Sequence, residues 1–155
     1  MTLSVTSPVT GGAQTGFTTP TYTLLTDSAP TTFGKQYAVS AVSGAGNTPR
    51  LHTISDPFMI MLSRAAVMRT LPTPNPVTGR YGPVAKNVHK VIVRKGVNFA
   101  ANQAPEVMLI STDIAVPVGA DAYNPVDVRA ACSLYTGAVF ASALGIGDTC
   151  VTGVP

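Results

Sequence analysis

The chain contains only two cysteines and few charges, and each scarcity bounds what it can be. Cys132 and Cys150 are too few for a disulfide scaffold. Two thiols in a reducing compartment are the first expectation and a bridge between them the alternative. Charged residues make up 11% of the chain and apolar ones 45%. Globular domains carry about 25% charged residues, so much of this surface is expected to be hidden in subunit contacts. No phosphate-binding loop, dinucleotide glycine fingerprint, Gly-x-Ser-x-Gly elbow or His-Glu-x-x-His sequence occurs. His52 and His89 stand alone, without a cysteine or carboxylate at metal-ligand spacing. Glu106 and Asp113 are seven residues apart on one expected strand, so they fall on opposite faces and cannot form an acid pair. No enzyme activity, metal or cofactor is expected. The first eight residues have neither a basic start nor an apolar run, so cytosolic synthesis is expected over secretion.

The charges that are present are segregated. Eight of the ten lysines and arginines lie between Arg50 and Lys95, where Asp56 is the only acid. That segment has a formal charge of about +7 while the rest of the chain is net acidic, which fits a polyanionic partner.

A chain of 155 residues is one domain by length. Residues 1–34 read as an N-terminal hairpin or arm, with Tyr22 to Leu25 as a short strand. Residues 35–118 read as an antiparallel sheet. Within it, Gln36 to Val42 is a strand closed by Gly44-Ala-Gly46 and Pro49, and Phe58 to Leu62 is another. Pro72 to Gly79 is proline-rich, cannot join a ladder and must be an exposed loop. Asn87 to Lys95 is dense in β-branched residues and is the clearest strand. Its Lys90 and Arg94 share one face with Val88 and Ile92, and Val91 and Val93 lie on the other. In the strand from Glu106, Met108, Ile110, Ile114 and Val116 form the apolar face.

Asn124 as N-cap, Pro125 at the first helical position and Asp127 at the third predict a helix over 124–144. Gly145-Ile-Gly147 is expected to stop it, leaving 145–155 as a tail. Twenty residues span roughly 30 Å. Gly137 in its middle is expected where another backbone comes close. Ala130, Leu134, Tyr135, Ala138, Phe140 and Ala141 run almost all the way round it. A helix apolar on every side has to be covered on every side, and a second subunit is the economical cover. The rival reading is a membrane anchor. Ala130 to Ile146 carries no charge, but its length is at the lower edge of a span and it is built of Ala, Ser, Thr and Gly.

The succession Lys90-Val-Ile-Val-Arg-Lys-Gly-Val97, a loop, Ile110-Ser-Thr-Asp-Ile-Ala-Val-Pro-Val118, Gly119-Ala-Asp121 and an alanine-rich helix resembles the coat proteins of single-stranded RNA bacteriophages. The resemblance covers about residues 86–144. It implies an α+β fold with an N-terminal β-hairpin, a five-stranded antiparallel sheet and a C-terminal helix packed across the sheet of a dimer partner, the second helix short or lost. It further implies an icosahedral shell of such dimers in a virion, lined by the uncovered sheet face. The expected partners are further copies of the chain, single-stranded RNA and a minor maturation-type virion protein, and no membrane.

By the same resemblance, Lys90 matches the family's RNA-side lysine. Arg64, Arg69, Lys86, Lys90 and Arg94 are expected to meet phosphates. Leu134, Tyr135, Gly137, Ala138, Phe140 and Ala141 are expected at the dimer interface. Asn98, Ala101, Asn102 and Gln103 are expected in a loop between dimers. Val107, Leu109 and Ser111 stand where better-known members have an aromatic and an amide for an RNA hairpin, and the loop 71–83 is longer than usual. A role as translational repressor is a further possibility of the family. Two other classes fit the residues alone: an exported pilin- or adhesin-like β-domain bridged at Cys132 and Cys150, and a small dimeric RNA-binding regulator.

Overall fold

The computed structural model describes residues 4–154. Six strands follow one another: β1 (Val9–Thr10), β2 (Phe17–Asp27), β3 (Gly34–Gly46), β4 (Phe58–Arg64), β5 (Lys86–Val97) and β6 (Glu106–Pro117). Three helices follow: α1 (Ala120–Tyr123), α2 (Pro125–Ala141) and α3 (Ala143–Thr152). The strands form one antiparallel sheet in sequence order, with β6 at an edge. The fold is therefore α+β as expected, with one strand more. The N-terminal hairpin is part of the sheet: β2 pairs with β3 along most of its length, from Phe17 opposite Gly46 to Asp27 opposite Gln36.

That pairing accommodates residues that normally end strands. Pro20 sits inside β2 at a register shift between Thr18 and Thr21, where no ladder donor is needed, and its carbonyl accepts from the Gly11 amide at 2.8 Å. Gly44 and Gly46 have φ of 135° and 111°, and a Cβ on either would press into the backbone of residues 16–20. The glycines that suggested an end to β3 instead permit close approach of β2.

Residues directly opposite each other in an antiparallel pair share a face, so the register sorts the side chains. On one face Leu24 lies opposite Val39, Tyr37 opposite Ile60, Ile60 opposite Val93 and Leu62 opposite Val91. Leu24, Tyr37, Val39 and Leu62 are the buried centre of this face, and Tyr22 and Phe58 meet edge-on at 5.7 Å beside it. An apolar hollow of about 260 Å³ remains there, walled by Val9, Tyr22, Leu24, Val39, Phe58 and Val93 among others. The alternate residues of β4, β5 and β6 form the opposite face.

The helices differ from expectation in their ends. Asn124 caps α2 by accepting from the Asp127 amide at 3.4 Å, with Pro125 at the first position. The joint before it contains the single-turn α1, entered through Gly119 at φ 88°. The chain breaks at Ser142 and bends by 62°, and α3 then runs for ten residues through Gly145 and Gly147. The second helix is thus present and short, ten residues against seventeen in α2. Neither α2 nor α3 has a buried residue, and a Cβ at Gly137 would meet nothing within 4 Å in this chain. No single helix among the described residues is long and apolar enough to cross a membrane, and only the bent pair passes on length and composition.

Candidate nucleic-acid interface and assembly surfaces

A strand places every second side chain on one face, so cations four residues apart on β5 form a row. Lys86, Lys90 and Arg94 are such a row, all exposed and roughly 13 Å apart in turn. Their opposite residues on β6 are Pro117, Asp113 and Leu109. On β4, Ser63 and Met59 flank Lys90 and Arg94. Ile92, Met61 and Ser111 fill the space between Lys90 and Arg94. Among the described residues Lys86 and Arg94 have no ion-pair partner, whereas Lys90 Nζ lies 3.4 Å from Asp113 Oδ2.

Two of the five expected phosphate contacts do not join this row. Arg64 pairs with His89, which places it on the apolar face, where its guanidinium stacks 5.0 Å from the Phe33 ring centroid and donates to the Ala65 carbonyl. That register puts it on the face opposite Lys90, away from the other strand cations expected to meet phosphates. Arg69 lies in the loop after β4, its backbone held by the Asn87 side-chain amide on both its N–H (2.9 Å) and its carbonyl (3.2 Å).

A second charged group was not foreseen as one. Buried Asp56 receives Lys95 Nζ at 3.0 Å on one oxygen and Arg50 Nε on the other. Arg50 also donates to the Gly96 carbonyl at 3.2 Å, and Lys95 sits 5.1 Å from the Phe58 ring centroid. Hydrogen bonding from Lys95, then from Arg50, holds the Asp56 carboxyl below the usual carboxylate range against the opposing effect of burial. Gly96 is required here, because a Cβ would overlap the Asp56 carboxylate. These three charges bind the loop before β4 to β5, so they are structural. The signal for this in the sequence was Asp56 itself, the only acid among eight cations.

The helices lie on the side of the apolar face. Tyr135 Oη and Thr112 Oγ1 are 2.8 Å apart, and Thr112 is opposite Val91. At the α2–α3 break, Gln14 Nε2 donates to the Ala143 carbonyl at 2.8 Å and Gly12 abuts Ala143 so closely that a Cβ would overlap it. Of the expected interface residues, Leu134, Tyr135 and Phe140 are all exposed, Leu134 at 75%. Ala138 and Ala141 are exposed as well. Asn98, Ala101, Asn102 and Gln103 sit together in the exposed loop joining β5 to β6, with Asn102 at φ 61°. Cys132 and Cys150 are both free thiols.

A solved structure described as a virus-like particle of bacteriophage ESE020 superposes with a TM-score of 0.95 at 45% sequence identity, covering 99% of this chain and 100% of that one. The chain belongs to the bacteriophage coat proteins. Its role is that of a structural virion protein. Identity at this level along the whole length extends the likeness well beyond residues 86–144. No protein-family model and no curated protein sequence matches the chain.

Proposed function

We propose that the chain dimerises, assembles into a closed icosahedral shell and packages single-stranded RNA against the face that carries Lys86, Lys90 and Arg94. The observation that carries the assembly reading is surface. The chain exposes 10785 Å², whereas a compact monomer of 15.9 kDa exposes about 7,400 Å². One subunit of a large obligate dimer hides about 1,000–2,500 Å². Dimerisation through the free β6 edge and the uncovered helices accounts for most of the difference, and contacts between dimers for the rest. The loop over 98–105 supplies such contacts, its small polar residues suiting an environment that changes between positions in a shell.

The RNA reading rests on the cation row. With leucine, valine and serine along the facing positions of β6, the surface has charges for phosphates but no aromatic on which a base can stack. Binding is therefore dominated by the RNA backbone and is salt-dependent, with hairpin-specific repression a minor role. Expression of the chain alone in bacteria, followed by negative-stain electron microscopy and absorbance, tests both parts. Uniform shells with a nucleic-acid absorbance maximum are expected. Discrete dimers without shells would favour a small RNA-binding regulator instead.

A further inference from the structure

We infer that Asp113 is a built-in competitor for RNA phosphate at Lys90, and so sets how tightly the shell's inner face holds its cargo; this rests on the RNA-facing assignment above. On the cation-bearing face of β4, β5 and β6, Asp113 is the sole acid, and it stands directly opposite the middle cation of the row. The outer two cations face proline and leucine. The row is thus charged at its ends and neutralised at its centre.

A structural purpose for this pair is poorly supported by its setting. The register of β5 against β6 is fixed by twelve residue pairs, from Lys86–Pro117 to Val97–Glu106. The Lys90 and Asp113 side chains are 48% and 53% exposed, whereas the Asp56 side chain, in the ion cluster that does pin a loop, is 11% exposed. An exposed pair at 3.4 Å is weak enough in water for another anion to exchange into it. A phosphate arriving at Lys90 displaces the carboxylate, which stays within a few ångströms and repels it. RNA therefore anchors at Lys86 and Arg94 and is held only loosely between them.

The test is the salt dependence of binding of a fluorescein-labelled oligouridylate to the full-length chain, read by fluorescence anisotropy below the concentration at which shells form. Asp113→Asn should tighten binding about three- to tenfold at 0.1 M salt and steepen the log–log salt slope by about 0.7, the value of one added phosphate contact. Asp113→Ser should do the same, and Lys90→Ala combined with Asp113→Asn should return the slope to that of the unaltered chain. Unchanged affinity and slope in both Asp113 variants, alongside weakened binding in Lys86→Ala/Arg94→Ala, would overturn the inference and leave the RNA reading standing. No loss in Lys86→Ala/Arg94→Ala would overturn both. Shell formation by each variant confirms that it is folded.

Discussion

The sheet and the helices of this chain solve the problem of burial in opposite ways. β2 to β5 find their partners within the chain: each strand is hydrogen-bonded on both sides, and Leu24, Tyr37, Val39 and Leu62 close a core on one face. The helices are just as apolar, yet α2 and α3 bury no residue and touch the rest of the chain mainly through Thr112, Gln14 and Gly12. A helix without a polar face is left with apolar surface in water by a single apolar support. The sheet closes its core within the chain, and the helices are left uncovered by it.

Substitutions in the two regions should therefore fail differently. The largest effect is expected from Leu134→Asp with Phe140→Asp: complete loss of shells by electron microscopy, while the far-ultraviolet signature of the sheet persists. Intact shells from that double variant would break the comparison. Deleting residues 98–101 should come next, abolishing closed shells but leaving dimers, as read by size-exclusion chromatography; closed shells from the deletion would remove the loop from the contacts between dimers.

A smaller effect, confined to stability, should follow Asp56→Asn, which leaves Lys95 and Arg50 without their carboxylate at a cost of about 2–3 kcal/mol. Because the folded state holds this carboxyl below its ordinary value, its contribution is fully present above the unfolded value near 4 and is lost as pH falls through the lower folded value. The denaturation midpoints of the unaltered and Asp56→Asn chains should accordingly differ at pH 7 and converge at acid pH. A gap that persists at low pH would mean the charge is not what binds the loop.

Much of this division was legible in the residues. The β-branched run of β5, the alternation of β6 and the cap–proline–acid start of α2 announce themselves locally, and all three lie where the sequence predicts. The all-round apolar character of α2 also pointed correctly to a helix that its own chain leaves uncovered. What misled were glycine and proline. Gly44 and Gly46 extend β3 because close approach of β2 needs them, and Pro20 is tolerated at a register shift. Gly145 and Gly147 lie inside α3, and the helix breaks instead at Ser142; Gly147 leaves room for the Gln14 side chain. The face of Arg64 and the pairing of Asp113 with Lys90 were harder still, because both follow from register between strands, which no single segment encodes. A one-residue difference decides whether Arg64 joins the cation row or, as found, the opposite face.

A second copy of the chain is expected to complete the apolar face and the helices. Static light scattering of the full-length chain, with shells dissociated under mild conditions that preserve secondary structure, tests it most directly. A folded species of twice the 15.9 kDa chain mass is expected at every concentration at which structure is retained. A stable, folded monomer with its helices intact would contradict it.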